Sequence, residues 1–287
     1  MDAFRADAAV GRVNVVDSGS APAHLARLQA LLSGRHAVDI VEAGANVGFG
    51  PGANIGLRAW LASGSEPWAV VAPHDARPQD GCVSRVVAEL QAHPSGAMAC
   101  AEYGPGEDFR PTVDKFFGGS FVAAERGAGW ESVDYAHGTL LAFRPEALRA
   151  IGLFDERFFA YCEEADIGIR ARATGWDVGL VWGAVVDNGR PPRADVGRYL
   201  QLRNTLLLLE KHFGFGPVVA RLAWELGVLA TGGSGPTLGV GVAPGAGSAR
   251  VALRRSSVLA IRDYIARRFG PPPAALVGPV EAEPVGA

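Results

Sequence analysis

Carboxylates are concentrated in one short segment of the chain, where they could act as a general base. The segment YCEEADIGIR places Glu163, Glu164 and Asp166 within four positions. A helix is predicted from about Glu164 to Thr174, and Arg170, one turn after Asp166, is predicted to pair with it. One of the carboxylates could remove a proton from a substrate hydroxyl. The alternative is structural, since acidic side chains at a helix N-terminus are stabilised by the helix dipole.

A glycine-rich segment, EAGANVGFGPGANIGLRAW, is the second candidate site. Gly48, Gly50 and Ala53 fit the spacing of a dinucleotide-binding loop, after the apolar run Val38 to Val41 and before a helix-like stretch. This spacing favours a nicotinamide or flavin site. The length of the segment between the run and Gly48 fits that interpretation poorly, so another role for the glycines stays open.

Acidic residues also end two predicted strands. Asp17 closes the strand in NVVDSGS, where a carboxylate can accept hydrogen bonds from a base or ribose. His74 and Asp75 follow the apolar strand in VVAPHDARP, and Asp75 could hold Mg²⁺ or Mn²⁺ against a diphosphate. The alternative is that Asp17 and Asp75 form turns.

Three further residues could contact substrate. His137 in YAHGTLL precedes a predicted buried strand, where a histidine is more often a packing residue. Arg198 and Arg203 in RYLQLRN flank Tyr199 and Asn204 and could bind a phosphate, although a solvated helix face is the default interpretation.

Alternating strand and helix patterns predict an α/β fold, with a parallel sheet covered by helices on both faces. The predicted strands are Val13 to Val16, Val38 to Val41, Ala69 to Ala72, Ala97 to Cys100, Thr139 to Phe143 and Val178 to Val186. The predicted helices follow Pro22, with Ser20 as its cap, and Gly52, Cys82 and Pro145, and an amphipathic helix runs from Ala194 to Phe213. Residues 101 to 126 are predicted to be a loop, and no internal repeat is found.

Composition narrows the function classes. The 287 residues carry a net charge of −3 and no long basic run, which argues against a nucleic acid partner. Three separated cysteines indicate neither a disulfide framework nor a zinc site, and the N-terminus lacks the pattern of a signal peptide. We therefore expect a cytoplasmic protein.

Two C-terminal features suggest contact with the inner face of the plasma membrane. The apolar region Phe213 to Val242 is interrupted by Arg221 and Glu225, so it falls short of the roughly 20 clean residues of a membrane span. A predicted helix from Ala249 to Phe269 carries six arginines and could rest on anionic lipid. The alternative is that this helix packs against the rest of the domain and does not contact lipid.

Taken in order, several segments resemble the inverting family-two glycosyltransferases of the GT-A fold, in particular bacterial rhamnosyltransferase-like members. They are VVDSGS, NVGFGPGANIG, VVAPHDARP, GTLLAFRPEAL, IGLFDERFFAYCEEADIGIR and RYLQLRN, and they span Val13 to about Phe213. The resemblance implies a mostly parallel GT-A type sheet flanked by helices, with a C-terminal helical extension. Residues 1–215 would form the transferase domain, 216–270 a helical region and 271–287 a disordered tail.

The resemblance also implies roles for the candidate residues, and it makes the dinucleotide interpretation less favoured. Glu164 would be the base, beside Glu163 and Asp166, and Asp75 would bind Mg²⁺ or Mn²⁺. His137, Arg198 and Arg203 would face the acceptor or phosphate. The donor, a nucleotide-diphosphate sugar such as a rhamnose donor, would meet Asp17, Ser18, Asn46, Gly48, Gly50, Asn54, His74 and Asp75. The acceptor would be a glycan or a polyprenyl-linked sugar, and the anomeric carbon would be inverted in one displacement.

The chain departs from the family pattern in three places. The family's first strand is missing, Pro73 stands in the metal motif, and Asn188 stands where a histidine is common. An open sheet edge at the missing strand could be covered by a second copy in a homodimer. These departures keep a second hypothesis open, a non-catalytic relative that binds a glycan, a nucleotide or a protein.

Overall fold

The structure is a computed structural model that describes residues 1–104, 108–188, 193–233 and 247–277. The first part of the chain forms α1 (Asp2–Ala6), β1 (Val13–Asp17), α2 (Pro22–Leu32), β2 (Val38–Glu42), α3 (Phe49–Ser63), β3 (Ala69–Val71), β4 (Ala76–Pro78) and α4 (Cys82–Ala92). The middle forms β5 (Gly96–Tyr103), β6 (Phe109–Asp114), β7 (Gly118–Ala123), β8 (Gly129–Ser132), β9 (Leu141–Phe143), α5 (Pro145–Ile151) and α6 (Glu163–Ala173). The last part forms β10 (Asp177–Asn188), α7 (Ala194–Phe213), α8 (Phe215–Ala230), α9 (Gly247–Ile265) and α10 (Ala274–Val277).

The main sheet has six strands, in the order β3-β9-β5-β10-β4, with β8 also paired to β10. Helices cover both faces, as predicted. Met98, Cys100 and Leu180 pack with α3, α5 and α6 on one face, whereas Ala99 and Val181 pack with α4 on the other. Successive side chains of β5 and β10 point to opposite faces of the sheet, so each face offers an apolar surface to one layer of helices.

The sheet is mixed rather than mostly parallel, which corrects one detail of the predicted fold. In the described residues, the parallel pairs are β5–β10 and β1–β2, and the other pairs are antiparallel. The reason is that β9 inserts between β3 and β5 and runs against both. Because β3 and β5 still point the same way, their carboxyl ends share one edge.

β1 and β2 form a separate two-stranded sheet. Helix α3 packs against both β1 and β3, so one helix covers the two sheets. Within the described residues, neither the second edge of β1 nor that of β3 is paired.

Four local predictions were wrong. Ser20 does not cap α2, because the residue at the N-cap is Ala21 and the Ser20 side chain bonds Asp17 instead. Residues 101–126 contain the end of β5 and the β6–β7 hairpin, and α3 begins at Phe49 rather than Gly52. The predicted disordered tail begins with α10, whose Leu276 is buried against α7 and α9, and residues 278–287 lie outside the described part.

Helix α7 is a central buried helix, not the predicted surface amphipathic one. Twelve of its 20 residues are buried, and they point in all directions around the helix axis. Helices α8 and α9 pack against it to form the C-terminal helical region. Among the described residues, no helix combines the length and the apolar character that a membrane crossing needs.

Candidate functional site

Several of the predicted site residues lie at the edge of the main sheet where β3, β5 and β10 end. The turn His74–Asp75 follows β3, and Ala76 pairs with Asn188 at the end of β10. Gly138 precedes β9, which enters the sheet beside the end of β3. Ligands of open α/β sheets bind at such an edge.

Glu164 at the start of α6 reaches this edge. Its Oε1 accepts a hydrogen bond from the Gly138 N–H at 3.1 Å, and the side chain is half-buried. A Cβ at position 138 would lie 2.5 Å from that oxygen and 3.3 Å from the ring of Phe49, so the close approach requires glycine. Gly138 therefore connects the strand β9 to the acidic helix start.

Among the described residues, the adjacent carboxyl groups of Glu163 and Glu164 form no ion pair. Glu163 is 1% exposed, and its Oε2 has no hydrogen-bond partner among the described residues. Burial and then the charges of Glu164 and Asp166 raise the pKa of Glu163 well above its ordinary value. Burial also raises the pKa of Glu164, against hydrogen bonds from its own N–H and that of Gly138. A carboxylate with a raised pKa is a stronger base once it is ionised.

Asp166 lies in the opposite environment. Its carboxylate is fully buried and binds Arg170 at 3.0 Å, Lys211 at 2.6 Å and His212 at 2.7 Å. Burial alone would raise the pKa of Asp166, but the hydrogen bond from His212 and the charges of Arg170 and Lys211 hold it below its ordinary value. The predicted Arg170 pair is confirmed, and Asp166 ties α6 to α7 rather than facing a substrate.

The loop before α6 has a strained backbone. Phe159, Tyr161 and Cys162 have φ values of 62°, 70° and 70°, which side-chain-bearing residues rarely adopt. The Asn204 amide stabilises this loop by donating to the carbonyls of Phe158, Ala160 and Tyr161 at 2.6, 2.8 and 2.9 Å. Such strain persists only where the surroundings enforce it, and it is common at functional sites.

The glycine-rich segment packs against this loop and the acidic helix. Gly48 has φ of 90°, and a Cβ there would lie 2.2 Å from the Phe159 carbonyl oxygen. At Gly50 a Cβ would lie 3.4 Å from the Glu163 side chain. These two glycines thus bring the N-terminus of α3 next to that of α6.

The β1 end forms a turn beside the same segment. Asp17, 6% exposed, accepts hydrogen bonds from the Gly19 and Ser20 N–H groups at 3.2 and 3.1 Å. The hydrogen bond with the Ser20 side chain outweighs burial and lowers the pKa of Asp17. Ser18 lies near Gly52, and Asn46 is exposed and accepts from the Gly48 N–H at 3.1 Å. Asp17 therefore has the turn-forming role that was its alternative.

Asn54 does not face a donor, contrary to prediction. It is fully buried, donates to the Phe154 carbonyl at 2.9 Å and accepts from the Phe154 N–H at 3.1 Å. Its amide thereby joins α3 to the segment that leads into α6. The sequence could not reveal this contact, because the partners are 100 residues apart.

His137 is a buried, neutral histidine. Its Nε2 donates to the Ala101 carbonyl at 2.7 Å, and burial lowers the pKa of His137 to about 4. Nδ1 therefore carries no proton, and it has no partner among the described residues. The packing role, with the ring against Tyr103 and Phe121, fits these contacts.

Arg198 and Arg203 are buried structural residues rather than parts of a solvated face. Arg198 forms an ion pair with Glu225 and donates to the Ser257 hydroxyl at 2.9 Å. Arg203 donates to the Gly270 carbonyl at 2.8 Å and to the Tyr199 hydroxyl at 3.2 Å. Only Arg198 borders an opening, a cavity of about 350 Å³ between α7 and the β6–β7 hairpin.

Oxygen atoms at the sheet edge fit a divalent cation. Asp75 is half-buried with no ion pair among the described residues, and the Asn188 Oδ1, beside that turn, is buried without a hydrogen-bond partner. Hard oxygen ligands suit Mg²⁺ and Mn²⁺. In the described residues, no group of three or more His, Cys, Asp or Glu is placed to hold a metal.

Sequence reasoning missed three contributors to the site. Lys211 and His212 act on Asp166 from the end of α7, and Asn204 fixes the loop before α6. Asn204 lies in the RYLQLRN motif, but only the two arginines of that motif were given a role, and the partners of Asn204 could not be inferred. Lys211 gave no local signal because its contacts are all long-range.

The fold of this chain is similar to that of solved glycosyltransferases of the GT-A fold. The structure superposes on GalNAc-T7 with UDP, GalNAc and Mn²⁺ (TM-score 0.58, 13% identity, 71% of this chain and 43% of that one). It also superposes on the mannosyltransferase PcManGT from Pyrobaculum calidifontis with GDP-Man and Mn²⁺ (TM-score 0.55, 18% identity, 93% and 77%). At these identities the likeness establishes the fold.

The sequence is similar to a curated rhamnosyltransferase. The N-acetylglucosaminyl-diphospho-decaprenol L-rhamnosyltransferase of Mycobacterium tuberculosis is 28% identical over 194 residues. The match covers 65% of this chain and 59% of the relative, so the chain spans less than two thirds of that protein. No protein-family model matches the chain. The predicted resemblance to rhamnosyltransferase-like enzymes of the GT-A fold is thereby confirmed.

Proposed function

We propose that this protein transfers a sugar, rhamnose or another hexose, from a nucleotide-diphosphate donor to a glycan or polyprenyl-linked acceptor, with inversion. The observation that carries the proposal is Glu164. Its carboxylate is half-buried at the carboxyl edge of the sheet, lacks a cationic partner among the described residues and has a raised pKa. This is the environment of a general base.

Glu164 takes the proton of the acceptor hydroxyl while the oxygen of that hydroxyl attacks the anomeric carbon of the donor sugar. Attack from the face opposite the leaving group inverts the configuration in one step. The hydrogen bond from Gly138 orients the carboxylate, and the contacts of Asp166 with Arg170, Lys211 and His212 keep the helix in place. Glu163 is not suited to this role, because its side chain is enclosed.

Asp75 and Asn188 are the residues that would hold a divalent cation. Both structural neighbours contain Mn²⁺ with a nucleotide or nucleotide sugar, which supports a metal at this edge. A cation there supplies positive charge to the departing diphosphate. His74, exposed in the same turn, would contact the donor, as would the Asp17–Ser18 turn and the Asn46–Gly50 segment.

The acceptor class rests on the mycobacterial relative, whose name gives a GlcNAc-diphospho-decaprenol acceptor and rhamnose as the transferred sugar. We infer a polyprenyl-diphosphate sugar as the acceptor and TDP-rhamnose as the first donor to test. The expected cytoplasmic location at the inner face of the plasma membrane remains a prediction.

The test is transfer of rhamnose from TDP-rhamnose to a short-chain GlcNAc-diphospho-prenol, with Mn²⁺ or Mg²⁺ present. Glu164→Gln keeps the size of the side chain but cannot accept the proton, so we expect kcat to fall by about 10²- to 10⁴-fold with donor binding unchanged. Glu163→Gln is the matched control and should retain most of the activity. Equal loss in both variants, or an active Glu164→Gln, would show that the base is assigned wrongly.

A non-catalytic binding protein is the second candidate, and two observations favour it. Among the described residues, one edge of β1 and one of β3 are unpaired, and no group of three or more His, Cys, Asp or Glu is placed to hold a metal. Calorimetric titration with TDP, UDP, GDP and NAD, with and without Mn²⁺, separates the two. Binding of a nucleoside diphosphate without any turnover of its sugar would support the second candidate.

A further inference from the structure

Helix α8 has an inverted pattern of charged and apolar side chains. Its two charged residues, Arg221 and Glu225, are only 4% and 0% exposed. By contrast, Phe215, Val219 and Leu226 are 65%, 63% and 55% exposed. A surface helix of a soluble protein normally places charged residues outward and apolar residues inward.

The inward charges of α8 are fully engaged. Glu225 accepts from Arg221 at 2.9 Å and from Arg198 of α7, so the acid is shared by two guanidinium groups. Arg221 also donates to the Phe116 carbonyl at 2.9 Å and lies 5.1 Å from the centre of the Trp224 ring. These contacts fix the orientation of the helix, so its apolar face is held outward.

The outward face of α8 contains no charged residue. Its exposed positions are Phe215, Gly216, Val219, Ala220, Ala223, Leu226, Gly227 and Ala230. They recur at helical spacing along one side, and together they form a continuous apolar strip. A contiguous apolar surface of this kind marks an interaction site more often than scattered exposed side chains do.

Helix α9 extends the strip and adds positive charge beside it. Val251 and Val258 are 67% and 54% exposed, and they line a shallow groove with Leu229 at the end of α8. Arg254 and Arg255 line the same groove. Every exposed charged side chain described on α9 is an arginine, and three have no acidic partner among the described residues, Arg250, Arg254 and Arg255.

We propose that the outer face of α8, with the exposed valines and arginines of α9, is a docking surface for an anionic lipid bilayer. An interfacial helix buries an apolar face in the headgroup region while basic residues bind anionic lipid. The lipid-linked acceptor proposed above would reside in the same bilayer, but the docking surface rests on α8 and α9 alone.

The charge pattern favours lipid over a second copy of the chain. A symmetric dimer through this face would apply the same net-positive patch to both partners. Like charges brought together in this way oppose association. An anionic bilayer instead offers an opposite charge to every arginine.

The test is flotation of the full chain with vesicles of phosphatidylcholine alone and of phosphatidylcholine with phosphatidylglycerol. We expect binding only when phosphatidylglycerol is present, and weaker binding in high salt. Val219→Asp and Leu226→Asp should each lower vesicle partitioning by at least about tenfold, because a charge replaces an inserting apolar group. Arg250→Glu and Arg255→Glu should each lower it by about fivefold or more.

Leu31→Asp is the matched control, because Leu31 is 58% exposed on α2, in another part of the chain. It should bind vesicles as the unmodified protein does. Thermal unfolding of each variant establishes that it is folded. The proposal is overturned if the unmodified protein fails to float with phosphatidylglycerol vesicles or if the α8 variants bind normally. It is also overturned if Leu226→Asp converts a dimer into a monomer in the absence of vesicle binding. Vesicle binding and nucleotide binding are measured separately. A protein without transferase activity could therefore still confirm or contradict the lipid-docking proposal.

Discussion

Glu164 and Asp166 lie two residues apart on the same helix, yet their environments are opposite. Asp166 is enclosed by Arg170, Lys211 and His212, and its pKa is held low. Glu164 has no cation near it among the described residues, and its pKa is raised. The comparison shows how one acidic segment separates two tasks, because the carboxylate held by ion pairs stabilises the helix whereas the carboxylate without them stays available to accept a proton.

The largest effect on stability is expected from Asp166→Asn. The substitution leaves the charges of Arg170 and Lys211 beside a neutral amide in a buried site, which should lower the free energy of unfolding by about 3 kcal/mol. Denaturant unfolding near neutral pH measures the change. Asp195→Asn is the control, since Asp195 pairs with the exposed Arg193 and should change stability by less than about 0.5 kcal/mol. A folded Asp166→Asn variant of unchanged stability would contradict the structural role of Asp166.

A smaller effect is expected from Asn204→Ala, which tests whether the loop before α6 positions Glu164. Three carbonyls would lose their donor, and we expect stability to fall by about 2 kcal/mol. At a temperature where the variant is folded, kcat should fall while the affinity for donor changes little. If kcat instead stays constant, the strained loop does not determine the position of the base.

The sequence predicted the parts of this comparison that are local. The strands near residues 13, 38, 69 and 97 followed from short apolar runs, and the acidic helix start followed from YCEEADIGIR. The Asp166–Arg170 pair was predictable because the two residues are one helical turn apart. Predictions that rested on residues close in the sequence therefore agree with the structure.

Long-range pairing explains what the sequence did not predict. Arg198 and Arg203 were interpreted as phosphate-binding residues, but their partners Glu225, Ser257 and Gly270 lie on elements that are distant in the sequence. The β6–β7 hairpin was predicted to be a loop because it contains Pro111 and two glycines and has few buried residues. For the two arginines the deciding partners are brought near only by the fold, whereas the hairpin was missed because its composition is typical of a loop.

The smallest effect is expected from Glu163→Gln, which sharpens the comparison at the residue beside the base. The folded state raises the pKa of Glu163, so it binds a proton more tightly than the unfolded chain does, and stability falls as pH rises above the ordinary glutamate value of 4.5. Removing the ionisable group removes this loss. We expect the variant to be more stable than the unmodified protein by about 1 kcal/mol near neutral pH, with the difference shrinking towards pH 4.5. Denaturant unfolding across this pH range measures it. A difference that is constant with pH would mean that Glu163 titrates normally, and the contrast between cation-free and cation-bound carboxylates on α6 would then be limited to Glu164 and Asp166.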